Sequence, residues 1–183
     1  MKFTIRSANT FGELDRVHKL THDAYVEMGY CKPQPDSRLN HYPHLDDIPE
    51  TTVLIAVSEG RIIGTNSLTM DGEHGLPVDA DYKWQTDKIR EEGRKLAASW
   101  RIVTGVHGRK VVLGLVACTV DLGVQLGVQT CLFAVHPHHK RIYERILNME
   151  ALDSHQRSME GLSHAPSVLM RWDIEKCPDK WLR

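Results

Sequence analysis

The chain has 183 residues, of which 41% are hydrophobic and 26% are charged, and its 23 Lys and Arg nearly balance its 24 Asp and Glu. This length and usage are typical of one globular domain with its own core, and we expect residues 1–183 to form a single domain. The near-zero net charge gives no overall electrostatic case for binding nucleic acid or an anionic membrane.

The sequence carries no apolar signal region, and its longest apolar stretch, residues 111–120, is far shorter than the roughly 20 residues that span a bilayer. We therefore expect a cytoplasmic protein without a membrane span. The four cysteines are far apart and form no Cys-x-x-Cys pair, so reduced core thiols are the simplest interpretation. His136, His138 and His139 lie near Cys131, but no second ligand cluster has suitable spacing, and we predict no metal site.

The first part of the chain predicts a short strand and a helix. Residues 2–6 alternate between polar and apolar side chains, which is the period of a strand. Residues 11–28 carry apolar side chains at helical spacing, with Asn9-Thr10 as the expected cap. Residues 31–49 hold four prolines, which excludes a long helix or a central strand and predicts a loop or short-helix segment.

A hairpin and a charged strand are predicted next. Two β-rich runs, 51–58 and 61–70, flank Glu59-Gly60, which is a good turn signal for an antiparallel hairpin. Residues 71–91 are polar and irregular, with room for one short helix. They lead into a predicted strand over residues 93–103.

The last part of the chain alternates strands and helices. Residues 110–126 have apolar positions at helical spacing, and Gly127 follows as a stop signal, which predicts a mostly buried helix. The remaining predicted elements are a strand over 128–135, a short amphipathic helix over 140–149 and a strand over 168–174. This order predicts an α/β fold, a mixed central sheet with helices on both faces.

The start of the charged strand is the most informative stretch of the sequence. An acidic residue, Glu92, and two bases, Arg94 and Lys95, enter an otherwise apolar sheet there, and such charges often have a functional role. Burial would raise the pKa of Glu92 and Arg94 on the same strand face would oppose that shift, so the pattern leaves the net direction open. The alternative is a solvated strand edge that includes Glu91.

The element order resembles the GNAT acyltransferase fold. Within that fold the sequence is similar to the N-acyl amino acid synthases and to the related acyl-homoserine lactone synthases of autoinducer synthesis. The similar segments are residues 23–30, 63–68, 75–77, 92–97, 134–137 and 143–147, which together cover most of residues 5–174.

This resemblance implies an enzyme that transfers a fatty acyl group from an acyl carrier protein, or from acyl-CoA, to the amine of an amino acid or a similar small amine. The acyl thioester would be a co-substrate, with no permanently bound cofactor. By the same resemblance, Glu92 matches the strand glutamate that would accept the proton of the amine, and Tyr143 matches the tyrosine that protonates the leaving thiol. Backbone N–H groups of the splayed central strand would hold the thioester carbonyl.

Further site residues follow from the resemblance. Tyr25 and Tyr30 would line the acyl or amine pocket, Asp46 or Asp47 would remain from an acidic pair, and Arg94 and Lys95 would hold a substrate carboxylate or a carrier phosphate. Ordinary packing of the tyrosines against the sheet is the alternative. The residues expected to bind the carrier or its pantetheine are Arg101, Arg109, Lys110 and His136, with solvated surface charges as the alternative for these.

The sequence also departs from the families that it resembles. Thr21 stands where the relatives carry an arginine, and His22 is the nearest substitute. Residues 103–110 lack the Gln/Arg-x-x-Gly-x-Gly/Ala spacing that cradles a pyrophosphate, which disfavours a CoA-dependent N-acetyltransferase. A non-catalytic acyl-carrier or lipid-binding protein of the same fold is the alternative from another class, and the loss at Thr21 permits it.

Overall fold

A mixed β-sheet runs through the centre of the protein, whose computed structural model describes residues 2–105, 108–152, 157–158, 162 and 165–181. The strands are β1 (Thr4–Ser7), β2 (Thr51–Ser58), β3 (Arg61–Met70), β4 (Leu96–Thr104), β5 (Thr130–Val135), β6 (Glu150–Ala151), β7 (Arg157–Ser158) and β8 (Pro166–Asp173). They lie in the order β1-β2-β3-β4-β5-β8-β6, and β7 also pairs with β8. Within the described ranges the neighbours are antiparallel except β4 and β5, which are parallel.

Helices cover both faces of this sheet. They are α1 (Phe11–Glu27), α2 (Pro43–Asp46), α3 (Asp79–Arg90), α4 (Gly108–Gln125) and α5 (Lys140–Leu147). Alternate residues of β2 face opposite sides: Ile55 packs in a cluster with Val17 of α1, and Ala56 packs in a cluster with Leu115 of α4. The same alternation in β4 puts α2 and α3 on the side of α1 and α5 on the side of α4. In the described part of the chain, no helix has the length and apolar character that crossing a bilayer requires.

Most of the predicted elements are confirmed, as is the α/β fold with a mixed sheet. The first helix is capped by Thr10, whose side-chain oxygen accepts a hydrogen bond of 3.2 Å from the backbone N–H of Glu13. The hairpin turns at Glu59 and Gly60, which have φ angles of 50° and 74°. Positive φ at both turn residues is the conformation that joins two twisted antiparallel strands in a two-residue turn.

The segment before β4 differs from the expectation of a charged strand that begins at residue 93. α3 extends to Arg90, a turn follows, and β4 begins only at Leu96. Gly93 closes this turn with a φ of 69°, and its N–H donates to the carbonyl of Arg90 at 3.0 Å. The prediction that Glu92 lies in a strand is therefore wrong, because Glu92 lies in the turn between α3 and β4, which the left-handed Gly93 closes.

The parallel strands β4 and β5 pair only at their beginnings. The pairs run from Leu96 with Thr130 to Ala98 with Leu132, and none follows among the described residues although β4 continues to Thr104. Beyond Ala98 the two strands diverge. They leave a gap in the middle of the sheet.

A β-bulge lies in β4 directly after this point of divergence. Arg101 and Ile102 of β4 lie opposite a single residue of β3, Asn66. Arg101 has a φ of 56°, a left-handed conformation that is unfavourable for a residue with a Cβ atom. As a result, Trp100 and Arg101 border the same cavity although they are neighbours in a strand.

Candidate active site

A small cavity lies where β4 and β5 diverge. Its volume is about 40 Å³, which suffices for a few water molecules but not for a fatty acyl chain. Trp100 and Arg101 of β4 and Ala134 of β5 contribute to its wall. The other lining residues, from α1, the segment before α2 and the loop before α3, are Thr21, Tyr25, His41, Tyr42, Pro77 and Val78.

Arg101 brings a buried cation to this wall. Its Nη1 donates to Asp46 Oδ2 at 2.9 Å, its Nη2 donates to Asp46 Oδ1, and its Nη2 also donates to Ser67 Oγ at 2.7 Å. The Nε2 atom of His18 lies 2.8 Å from the same Asp46 Oδ2. Because a lone buried charge is costly, this arrangement requires Arg101 and Asp46 together.

The carboxylate of Asp46 is ionised in this cluster. Burial on its own would raise the pKa of Asp46, but hydrogen bonds to His18 and Arg101 outweigh burial and hold that pKa below its usual value. Asp46 therefore balances the charge of Arg101 at neutral pH. Asp47, the other candidate from the acidic pair, is exposed.

Tyr25 lies in the cavity wall, and Tyr143 lies in a core cluster with Phe133 and Val135 of β5. Burial raises the pKa of Tyr25 to about 12, with Arg101 opposing the rise and Tyr143 adding a small part of it. Burial likewise raises the pKa of Tyr143, on α5, to about 12. Both side chains are therefore protonated at neutral pH and can donate hydrogen bonds.

Aromatic rings lead from this cavity to the surface. Tyr25 packs edge-on against Tyr30, with ring centroids 5.7 Å apart, and Tyr30 stacks on His136 at 5.2 Å. His136 in turn stacks on the exposed His138 at 4.8 Å. Burial lowers the pKa of His136, and the neighbouring histidines lower it further. Among the residues that the structure describes, no three or more His, Cys, Asp and Glu form a group that could hold a metal ion.

The charged segment that the sequence singled out lies at the other end of β4. Five residue steps along a strand, from Leu96 to Arg101, span about 16 Å. The carboxylate of Glu92 is bound at two points by Arg171, at 2.7 Å each, and this contact lowers the pKa of Glu92. A carboxylate that is held by a cation and does not line the cavity is badly placed to accept the proton of the amine, and this geometry argues against the role expected for Glu92.

Arg94 and Lys95 are likewise outside the cavity. Arg94 donates to Glu175 Oε2 at 3.0 Å and to the carbonyl of Gln129 at 3.0 Å. Lys95 is exposed beside it. This geometry argues against their assignment as substrate ligands, because Arg94 already has an anionic partner and both residues precede the end of β4 that pairs with β5.

The expected carrier-binding residues separate into two groups. Arg101 cannot contact the surface of a carrier protein, because only 1% of its side chain is exposed. Arg109 and Lys110 are exposed in the first turn of α4, which follows the end of β4. His136 is half-buried at the end of β5, on the open side of the gap.

The position with the missing family arginine is part of the cavity wall. Thr21 lines the cavity, and its hydroxyl donates to the carbonyl of Val17 at 2.8 Å. His22 does not replace the arginine there, because its Nε2 accepts the backbone N–H of Gln34 at 2.9 Å. This contact ties the start of the proline-rich segment to α1.

Several lining residues were not identified from the sequence. The loop position of His41 and Tyr42 was the available signal, since loops often carry substrate contacts. Pro77 belongs to a segment that the sequence did single out, and Val78 follows it. Trp100 and Ala134 had no signal, because they look like ordinary strand residues.

Comparison with known proteins agrees with this architecture. A family model described as "N-acyl amino acid synthase FeeM" matches residues 16–173. The solved structure of FeeM, an N-acyl amino acid synthase from uncultured soil microbes, superposes with a TM-score of 0.83 at 18% identity, over 98% of this chain and 92% of that one. No curated protein sequence matches.

Two further solved structures share the fold. The CoA-dependent acyl-homoserine lactone synthase BjaI, solved with MTA, has a TM-score of 0.67 at 15% identity, over 99% of this chain and 86% of that one. An acyl-CoA N-acyltransferase from Pseudomonas aeruginosa has a TM-score of 0.62 at 18% identity, over 94% of this chain and 99% of that one. At these identities the structural likeness establishes the fold, and the family match carries the classification.

Proposed function

The chain belongs to the FeeM family of N-acyl amino acid synthases and is an acyltransferase, and we propose that it transfers a fatty acyl group from the thioester of an acyl carrier protein to the amine of an amino acid. The observation that carries this proposal is the cavity at the divergence of β4 and β5. Backbone N–H groups of β4 beyond Ala98 have no strand partner in β5 there. They are suitable donors for a thioester carbonyl.

The cavity suits the reacting groups of both substrates. A volume of about 40 Å³ accommodates a thioester group in place of water, and the acyl chain requires side chains of the wall to move. The amine must lose a proton before it attacks, and imidazole is the side chain that most often takes this role. His41 is the histidine in the wall, and we assign the proton transfer to it in place of Glu92.

The leaving thiolate must gain a proton once the acyl group has moved. Tyr143 is protonated at neutral pH, because burial raises its pKa to about 12. Its ring packs against Phe133 of β5, with the ring centroids 6.1 Å apart. Tyr143 is therefore the proposed donor to the thiolate.

The choice of a carrier protein as donor rests on charge at the open side of the gap. Arg109 and Lys110 begin α4, and Lys140 and Arg141 begin α5, so that four cations lie beyond the ends of β4 and β5. Three of them, all except Lys140, are exposed and have no ionic partner among the described residues. A carrier protein with an acidic surface would be attracted to this side, and it would bring one phosphate in place of a pyrophosphate.

The experiment supplies the purified protein with a dodecanoyl thioester and the twenty amino acids, and follows N-dodecanoyl products by mass spectrometry. The thioester is offered on acyl carrier protein, on CoA, and as acetyl-CoA in a separate reaction. Products from the carrier-bound thioester support the proposal. Acetylated products alone would instead establish a CoA-dependent N-acetyltransferase.

A cavity-filling variant tests the location of the site. Ala134→Leu places additional carbon atoms in the cavity wall, and turnover should fall at least about 100-fold if the reacting groups lie there. Ala80→Leu, which makes the same change at an exposed position on α3, is the matched control and should retain activity. Equal activities of the two variants would place the reaction elsewhere.

A further inference from the structure

The hydroxyl of Tyr25 is a hydrogen-bond donor in the cavity wall that has no partner among the described residues. Tyr25 as a whole is half-buried, and it borders the cavity. A group that enters the cavity can therefore accept a hydrogen bond from this hydroxyl, which favours binding because an unsatisfied polar group is costly.

The ring that carries this hydroxyl is held in place. Tyr25 lies one turn after Thr21 on α1, and both side chains border the cavity. The edge-on contact with Tyr30 restrains the ring from its other side. A donor that is fixed before the substrate binds has no ordering cost at the moment of reaction.

The electrostatics at this position favour negative charge on a neighbouring atom. Arg101 and Tyr25 line the same cavity, and the charge of Arg101 opposes the rise in the pKa of Tyr25. Four of the five guanidinium N–H groups of Arg101 are used by Asp46 and Ser67. Arg101 therefore acts on the cavity mainly through its positive charge, because few of its N–H groups are free to donate. In surroundings with little water, that field strengthens any hydrogen bond from Tyr25 to an anion.

We propose that the Tyr25 hydroxyl donates a hydrogen bond to the thioester carbonyl oxygen as that oxygen becomes an oxyanion. This inference rests on the proposed function and assigns Tyr25 a step within it. The amine nitrogen forms a bond to the carbonyl carbon, and the π pair of the carbonyl moves onto oxygen. When the C–S bond breaks, that pair restores the carbonyl, and the sulfur leaves with the bonding pair as thiolate. The nitrogen gives its proton to the base, the thiolate receives a proton, and Tyr25 keeps its own throughout.

This role differs from two others that a tyrosine in the wall could have. A general base would have to lose its proton readily, and the raised pKa of Tyr25, about 12, opposes that. A ligand for the acceptor carboxylate would bind the ground state and the transition state equally. The oxyanion role predicts a loss in kcat, whereas the carboxylate role predicts a higher KM for the amino acid.

The test compares Tyr25→Phe with the wild type, which keeps the ring and removes the hydroxyl. The dodecanoyl thioester of carrier protein is the donor, and the amino acid that the wild type acylates best is the acceptor. We expect kcat to fall about 100-fold, as for loss of one oxyanion donor. The KM of the thioester and the Kd of its non-reactive thioether analogue should stay within about twofold of the wild type. Tyr82→Phe is the matched control, with kcat unchanged, because it removes a buried tyrosine hydroxyl that lies outside the cavity wall, 2.8 Å from Ser167 Oγ.

Other outcomes overturn the assignment. An unchanged kcat for Tyr25→Phe in a folded protein, with melting temperature as the check, excludes the oxyanion role. A higher KM for the amino acid at the wild-type kcat makes Tyr25 an acceptor ligand. If the wild type itself forms no N-acyl product, the proposed function fails first and the assignment fails with it. If the wild type is active and the variant equals it, the assignment alone fails.

Discussion

Arg101 and Asp46 are 55 residues apart in the sequence, and they meet in the interior as a two-point ion pair. Asp46 ends the short helix α2, Arg101 lies on the bulge of β4, and His18 approaches the same carboxylate from α1. Three elements thus converge on one side chain. The orientation of Arg101 in the cavity wall depends on Asp46, and so does the field that the wall exerts.

Removing the charge of Asp46 should be strongly destabilising. Asp46→Asn leaves the Arg101 cation buried without an anion, which typically costs about 3 to 5 kcal/mol. The measurement is the free energy of unfolding in urea at pH 7. Asp47→Asn, at the exposed neighbouring position, should change that free energy by less than about 0.5 kcal/mol. A small effect at both positions would mean that the pair contributes little to the fold.

Acid should weaken the protein through Asp173. Burial on its own would raise the pKa of Asp173, but hydrogen bonds to Arg171, Thr130 and Lys176 outweigh burial and lower that pKa from 3.8 to about 2. Because the folded-state pKa is depressed, the stabilisation is complete above about pH 4 and is lost as the pH falls toward 2.

Chemical unfolding between pH 2.5 and 6 measures this dependence. The free energy of unfolding of the wild type should fall below about pH 4. Asp173→Asn should be less stable than the wild type at pH 6, and the two proteins should converge in acid. Parallel curves over the whole range would show that Asp173 does not carry the dependence.

Glu92→Gln should leave turnover within about twofold of the wild type, because Glu92 lies at the paired end of β4 and binds Arg171. Since the carboxylate is partly exposed, the lost ion pair should lower the free energy of unfolding by less than about 1 kcal/mol. Steady-state kinetics and urea unfolding of the same preparation test both statements. A variant that folds normally but loses turnover would return Glu92 to the catalytic site.

Loosening the loop before α3 should weaken substrate binding. Arg90 binds Asp71 and Asp79 at two points each, with distances of 2.7 to 3.0 Å, and Asp79 Oδ2 accepts the backbone N–H of Leu76 at 2.8 Å. These contacts hold the segment that presents Pro77 to the cavity. In Arg90→Met we therefore expect a higher KM for the thioester and faster amide hydrogen exchange at Leu76.

Lys88→Met is the matched control for this change. Lys88 lies on the same helix and is exposed, and its ammonium contacts the ring of Trp84, 3.6 Å from the centroid. The substitution removes a positive charge from α3 without touching the loop. If Lys88→Met raised the KM as much as Arg90→Met does, net charge and not the loop would be responsible.

The order of elements was readable from the sequence because it depends on local signals. Each of these signals depends on residues that are close in the sequence. They are the helix cap at Thr10, the turn at Glu59 and Gly60, and the hydrophobic spacing of α4. The start of β4 was misplaced for the same reason. Gly93 is compatible both with a strand and with the end of a helix, and its φ of 69° is decided by the contact of its N–H with Arg90.

The candidate site was less predictable, since its walls come from segments that meet only in the folded protein. Tyr25 was placed in a pocket on the strength of the resemblance, and the structure puts it in the cavity wall. Arg101 looked like a surface cation, because a pattern of alternating residues cannot indicate a bulge. Its partner Asp46 was one of two adjacent acids with nothing in the sequence to distinguish them.

The bulge at Arg101 changes which residues of β4 face each side of the sheet, so that odd-numbered and even-numbered positions exchange faces. Before it, odd-numbered Ala97 packs with the core on the α4 side and even-numbered Ala98 with the core on the α3 side. After it, even-numbered Ile102 packs with the α4-side core. A gap-free sequence alignment with a relative that lacks the bulge would therefore exchange core and site positions from residue 101 onward. Relatives of this chain should be aligned on the two halves of β4 separately.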